Sequence, residues 1–288
     1  MEYEPLAEIN PRIITCFISG FGSTGSRSDW LAYDTIVQAS SGIMMQNSLD
    51  GRTPRASRPA VADYFSAFHA ALAILQAYYQ QKETGRGQNI EVSMLDVLMS
   101  VIWSEAPDHP YDEKQPARPA NGHPRTVPWN TYATVDGYVS IAASKEVQWQ
   151  KLVDIMGLEQ FRHLGKTDRV VHRHEIDEAI GEWTHTRRKR EIADQLQAAG
   201  VPSSPVLSEL EAAEEVNVRE RGVIEQVITP GTGVPSAHRM ARFPVRFSDL
   251  ETPTGRAPLL GEHNSLVFGD YLGFDQDVLT DLAQRGII

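Results

Sequence analysis

Asp63 stands out in this 288-residue chain as the only charge between Arg58 and Lys82, at the start of a long apolar segment. If that segment is a helix, a carboxylate in its first turn has two readings. It can be a structural acid favoured by the peptide dipoles of the helix start. It can also be a partly desolvated nucleophile, and the pattern leaves the two open. A second candidate is Ser19-Gly20-Phe21-Gly22, which follows an apolar stretch. Glycine has no Cβ and exposes backbone N–H groups, so a phosphate or pantetheine-like chain can approach closely. The spacing fits neither a P-loop nor a dinucleotide fingerprint, and an ordinary tight turn remains an alternative.

Other clusters carry less. His163 and the run His172-Arg173-His174-Glu175 suggest metal ligands, but histidines two apart face different sides of a helix and no fourth ligand is spaced nearby. Arg187-Arg188-Lys189-Arg190 reads as a solvated helix face. Glu262-His263 does not form a zinc-protease motif, and no Gly-x-Ser-x-Gly elbow occurs. No metal site is expected. The single cysteine, Cys16, excludes an intramolecular disulfide framework and lies in an apolar segment as a small hydrophobe.

Composition narrows the class. Hydrophobic residues make up 41% and charged residues 23%, a globular balance that excludes disorder, collagen and coiled coil. With 27 Lys+Arg against 38 Asp+Glu, the formal charge of -11 opposes a nucleic-acid backbone or an anionic membrane as partner. The longest apolar run, Ala70 to Leu75, is far too short to span a bilayer, and Met1-Glu2-Tyr3-Glu4 lacks the features of a signal peptide. The expectation is a cytoplasmic protein.

The elements that must position these residues follow from periodicity. Arg12 to Ser19 reads as a strand covered on both faces. A helix is expected over about Tyr33 to Met45, after the glycine loop Gly20 to Gly25. Next come an arginine-bearing loop (Arg52, Arg55, Arg58) and a long helix from about Val61 to Gln81. Its stripe Val61, Phe65, Phe68, Leu72, Leu75, with alanines and aromatics around it, predicts burial on several sides. Gly85-Arg86-Gly87 ends that helix, a buried strand runs from Asn89 to Met94, and a helix from Leu95 to Trp103. This order is the grammar of an α/β domain. Six prolines between Ala106 and Pro128 mark a linker. A hairpin (Asn130 to Ala133, Tyr138 to Ala143) and helices around Trp149, Ile180 and Leu196 form a small α+β unit ending near Val206. A Pro- and Gly-rich irregular stretch, Thr229 to Leu260, leads to a C-terminal helical tail, Asn264 to Arg285.

The order of short motifs through nearly the whole chain resembles the family III CoA-transferases, the CaiB-BaiF family, which has α-methylacyl-CoA racemase as a divergent branch. The motifs are Asn10-Pro11-Arg12 with Ile18-Ser19-Gly20-Phe21-Gly22, Tyr33-Asp34 with Gln38-Ala39-Ser40-Ser41-Gly42, and Val61-Ala62-Asp63. They continue with Thr84-Gly85-Arg86-Gly87-Gln88, Val92-Ser93-Met94-Leu95-Asp96, Asp136-Gly137-Tyr138-Val139 with Trp149, Ala199-Gly200-Val201-Pro202, and Pro258-Leu259-Leu260-Gly261-Glu262-His263.

The resemblance implies Asp63 as catalytic nucleophile, forming an aspartyl anhydride and then an aspartyl-CoA thioester while CoA passes from an acyl-CoA donor to a carboxylic acid acceptor. It implies CoA contacts from Ser19, Gly20, Phe21 and Gly22, an active-site loop at Asn121, Gly122 and His123, and no permanently bound cofactor. The implied fold is α/β, a Rossmann-like large domain formed by both chain ends with a small α+β domain inserted between two long linkers. The boundaries are 1–105 and 261–288 for the large domain, 129–206 for the small one, and 106–128 and 207–260 for the linkers. An interlocked homodimer is implied as well.

Two departures bear on function. The racemase branch uses a histidine where this chain has Tyr33, a poor proton shuttle at neutral pH, so CoA transfer is favoured over racemisation. The family's long N-terminal part of the large domain has no counterpart before Met1. That leaves an inactive fragment or assembly subunit as a further alternative and predicts an uncovered sheet edge beside the Arg12 to Ser19 strand.

Overall fold

The computed structural model describes residues 3–49, 52–103, 121–229, 233–250 and 257–288. The chain divides into two compact units, 1–205 and 206–288.

In the first unit a short helix, α1 (Tyr3–Ile9), precedes strand β1 (Thr15–Ser19). Helices α2 (Asp34–Ser41) and α3 (Ile43–Gln46) follow, and the long helix α4 (Val61–Thr84) leads to β2 (Asn89–Ser93) and α5 (Met94–Trp103). β1 and β2 run parallel with Thr15 opposite Asn89 and Ser19 opposite Ser93. α4 is thus part of a βαβ crossover, which needs the dozen or more residues that only a helix spans compactly.

Several expectations are corrected here. The helix expected over Tyr33 to Met45 is split at Gly42, whose φ of 92° is left-handed and ends α2. α4 ends at Gly85 as expected, a few residues past Gln81, where Gly85 in the left-handed region donates its N–H to the Gln81 carbonyl at 2.8 Å. Its buried positions are Ala62, Ser66, Ala70 and Ala77, whereas Phe68, Leu72 and Leu75 of the expected apolar stripe are each more than 60% exposed. Small side chains let α4 approach its neighbours closely, so the face that packs is the one without bulk. β1 is likewise not covered on both faces, because Phe17 and Ile18 are exposed. It pairs with β2, and among the described residues no strand pairs with its other edge.

Residues 121–205 hold the largest core. Strands β3 (Trp129–Thr134), β4 (Gly137–Ala142) and β5 (Ser203–Val206) form a sheet in that order, the first two as the expected antiparallel hairpin. Helices α6 (Glu146–Met156), α7 (Lys166–Val171), α8 (Arg173–Thr184) and α9 (Lys189–Ala198) complete this part. Trp149, Leu152 and Val153 of α6, Ile176 and Ile180 of α8, and Ile192 and Leu196 of α9 meet Val139 and Ile141 of β4 with no exposed surface. The 3–4 spacing of these residues is the amphipathic pattern that predicts each helix. β5 is a strand the periodicity did not indicate.

The second unit corrects another expectation. Part of the stretch expected to be irregular is a strand, β7 (Pro235–Ala241), which pairs antiparallel with β6 (Ile224–Ile228) just before that stretch, with a register shift between Gln226 and Ile228. Helices α10 (Glu209–Ala213) and α11 (Val216–Glu220) precede it, and Arg239 pairs with Glu214 at 2.7 Å. The C-terminal tail is helical in two pieces. A π-helical turn, Ser265–Tyr271, is separated from α12 (Gln276–Gln284) by Gly273, whose φ is 74°. Among the described residues no helix is long and apolar enough to cross a membrane.

Candidate functional site

Asp63 lies in the first turn of the 24-residue helix α4. Its neighbour Ala62 is fully buried against Val37 of α2 and Met94 and Leu98 of α5. Adjacent helical positions are about 100° apart, so burying Ala62 turns Asp63 outward, and Asp63 is exposed. The partial desolvation expected from the sequence is therefore not observed. The Asp63 carboxylate makes no hydrogen bond or ion pair among the described residues, and its amide finds no acceptor there.

The start of α4 has no cap from its own sequence, since Ala60 at the N-cap offers no side-chain acceptor. The acceptor comes from another helix. Asp34 Oδ1 takes the Ala62 N–H at 2.7 Å, and Asp34 Oδ2 takes a hydrogen bond from Gln38 Nε2 at 2.6 Å. Gln38 is fully buried and joins the loop before α4 as well, receiving the Ser57 N–H at 2.9 Å and donating to the Ser57 carbonyl at 3.2 Å. Sequence reasoning assigns these two residues no role. The signals are their place in the motifs Tyr33-Asp34 and Gln38-Ala39-Ser40-Ser41-Gly42 and their i,i+4 spacing, which puts them on one face of α2.

The glycine loop follows β1 and enters the same packing cluster. Gly20 accepts the Leu95 N–H at 3.0 Å, and a Cβ on Gly20 would collide with Ala32 Cβ and lie 3.9 Å from Val37 Cγ2. Since Val37 also packs on Ala62, the loop and the Asp63 helix are anchored on one side chain of α2. Gly20→Ala is therefore expected to destabilise the chain by about 1–3 kcal/mol, measured by denaturant unfolding, because the backbone rather than a flexible tip must move.

Two amides of this loop are engaged within the chain. Ser19 Oγ accepts the Gly22 N–H at 3.0 Å, while the Glu91 carboxylate accepts both the Ser23 N–H and the Ser23 hydroxyl, the latter at 2.8 Å. Phe21 meets Trp30 edge-on at 5.7 Å, with Arg27 4.4 Å above the indole. The Ser23 hydrogen bonds hold the Glu91 carboxyl below its ordinary value of 4.5. A lowered folded-state value means this stabilisation is complete above the unfolded-chain value and lost as pH falls through the folded one. Acid titration followed by Ser23 amide exchange is expected to show the loop opening only below the ordinary carboxylate range, with Glu91→Gln removing that transition.

The expected loop Asn121-Gly122-His123 is placed in two ways. His123 is held to the small-domain part: its N–H donates to the Trp129 carbonyl at 2.9 Å, and its ring lies 5.0 Å from the Trp129 ring. Arg173 Nη2 donates to the His123 carbonyl at 2.8 Å. Asn121 lines a cleft of about 310 Å³ together with Gln46, Asn47, Ser48, Leu49, Arg55, Ala56 and Ser57. The linker positions 104–120 lie outside the described residues.

Among the described residues no three His, Cys, Asp or Glu side chains cluster as metal ligands. His172 and His174 instead face Glu175 and Glu178 at 3.8 and 3.9 Å.

Comparison with known proteins identifies this arrangement. The family model described as CoA-transferase family III matches residues 1–264. The chain is 30% identical over 278 residues to a succinate–glutarate CoA-transferase of Agrobacterium fabrum, covering 94% of this chain and 68% of the relative. It is 28% identical to a formyl-CoA:oxalate CoA-transferase of Rhodopseudomonas palustris, covering 99% and 72%. A solved CaiB/BaiF family protein from Brucella suis superimposes with a TM-score of 0.77 at 29% identity, over 94% of this chain and 71% of that one. Motif order, fold and sequence agree, and the chain belongs to CoA-transferase family III, a family of transferase enzymes.

Proposed function

We propose that this protein moves CoA from an acyl-CoA donor to a carboxylic acid acceptor, with Asp63 as the nucleophile. The observation that carries this reading is the exposed carboxylate of Asp63, free of partners among the described residues at the start of a rigidly anchored helix. An Asp63 oxygen attacks the thioester carbonyl of the donor. The C–S bond breaks, leaving an aspartyl-acyl anhydride and CoA thiolate. The thiolate then attacks the aspartyl carbonyl, forming an enzyme thioester and releasing the donor acid. The acceptor carboxylate attacks this thioester and expels the thiolate, which finally takes the acceptor acyl group and restores the Asp63 carboxylate.

A carboxylate suffices as nucleophile because thiolate is a good leaving group, and no proton must be removed from it first. The curated relatives above have dicarboxylates in their names, glutarate and oxalate, which supports a small dicarboxylic acid as acceptor. The glycine loop Ser19 to Gly22, anchored on the same α2 side chain as Ala62, is the proposed contact for CoA. The exposed apolar face of α4, with Phe68, Leu72 and Leu75, supports a homodimer in which a second copy covers it.

Incubation with a donor acyl-CoA followed by hydroxylamine or borohydride is expected to leave a mass label on the peptide containing Asp63. Labelling elsewhere would refute this assignment. Proton exchange at the donor α-carbon in deuterated water, with no CoA transfer, would point to racemisation instead.

A further inference from the structure

We infer that Asp34 and Gln38 form a positioning clamp that sets Asp63 for attack through the backbone of Ala62. The inference rests on the reading of Asp63 as nucleophile. Neither residue touches the Asp63 side chain in the hydrogen bonds of this structure, so their action is indirect.

A helix start leaves its first four N–H groups unpaired, and fraying there would let the first turn of α4 swing with Asp63 on it. The Asp34 carboxylate takes one of these groups, Ala62 N–H, at 2.7 Å. Such a carboxylate can rotate about its own side chain, and its second oxygen is held by the Gln38 amide at 2.6 Å. Gln38 in turn cannot flip. Its oxygen is committed to the Ser57 N–H at 2.9 Å and its nitrogen to the Ser57 carbonyl at 3.2 Å, both inside the protein where an unpaired amide is costly. Ser57 Oγ also receives Asn47 Nδ2 at 3.1 Å, tying the wall of the Asn121 cleft into the network. Every polar atom of this chain of contacts has one assigned direction, so the α4 start is indexed to α2 and to the loop before it.

This polarity gives a specific test. In Asp34→Asn a donor from the new amide must face either Ala62 N–H or Gln38 Nε2, so one bond is lost. In Gln38→Glu two carboxylates meet. The double variant D34N/Q38E restores the contact between positions 34 and 38 with roles exchanged. The amide introduced at position 34 accepts from Ala62 N–H and donates to the carboxylate introduced at position 38, which still accepts from Ser57 N–H, while the donor to the Ser57 carbonyl stays lost as in Gln38→Glu alone. The expected result is that amide protection at Ala62 falls about tenfold or more in each single variant and rises in the double variant above that of Gln38→Glu, which shares the lost Ser57 carbonyl bond. The rate of Asp63 labelling by acyl-CoA should fall and recover in the same order, while the acyl-CoA concentration for half-saturation stays unchanged.

Ala62 protection unaltered in the single variants would overturn the clamp. So would wild-type labelling rates despite lost protection, or a double variant no better than Gln38→Glu. If wild-type protein itself is not labelled at Asp63, the nucleophile assignment fails, and the exchange data alone then decide whether the clamp exists. Should Gln38→Glu not fold, Asp34→Ala removes the acceptor at a half-buried position and must show the same loss of Ala62 protection and slowed labelling.

Discussion

Asp63→Ala is expected to lower CoA transfer by at least about 10³-fold and to abolish the trapped label. A covalent nucleophile cannot be replaced by binding energy alone, and its removal elsewhere costs several orders of magnitude. The loss should fall on kcat, since the proposed role of the carboxylate is attack on the thioester carbon rather than holding the remote parts of CoA. Folding should be nearly unaffected. Asp63 is exposed and makes no side-chain bond among the described residues, so truncation forfeits only the favourable placement of a negative charge at a helix start, below about 1 kcal/mol. Asp63→Asn keeps the shape and should be equally inactive, because a neutral amide is a far weaker nucleophile. A variant transferring CoA at the wild-type rate would remove Asp63 from the mechanism.

The largest effect on stability is expected from Trp149→Ala. The Trp149 ring is fully buried among Leu152, Val153, Ile176 and Ile180, none of which has exposed surface. Arg169, 1% exposed, has its guanidinium 5.0 Å from the indole centroid and pairs with Glu146 at 3.1 Å. Truncation opens a cavity and strips the roof from a buried cation, so the cost should reach about 3–5 kcal/mol. The midpoint of guanidinium chloride unfolding should fall accordingly, with hydrogen exchange increasing across α6, α8 and β4. A change below about 1 kcal/mol would show that the site collapses without penalty.

These two predictions separate chemistry from architecture. The first concerns an exposed side chain whose position depends on a neighbour's burial. The second concerns a core whose integrity depends on volume. Asp34 and Gln38 lie between, because they act through hydrogen bonds on how firmly the first turn of α4 is held.

The candidate nucleophile was legible in the chain because a lone charge heading an apolar segment is visible without coordinates. The same holds for the β3–β4 hairpin, whose Asp136-Gly137 turn separates two apolar runs, and for α6, α8 and α9, whose buried faces repeat at helical spacing. Motif order carried the family. What failed to show was whatever depends on distant partners. The bulky stripe of α4 looks like a core face by periodicity, but the structure packs the alanine face instead, because close approach rewards small side chains. β7 was hidden in a Pro- and Gly-rich stretch because its pairing with β6 is a long-range choice that composition does not report.

The sequence by itself determined which residue is the candidate nucleophile, the small-domain core and membership of a CoA-transferase family, since these rest on local pattern and on motif order. Only the tertiary structure decided that Asp63 is exposed rather than partly desolvated, that Glu91 occupies the Ser23 amide of the glycine loop, and that Asp34, held by Gln38, caps a helix to which it does not belong. The physical reason is that hydrogen bonds between residues 28 or 68 positions apart leave no periodic trace in the chain, and form only once packing has brought their elements together.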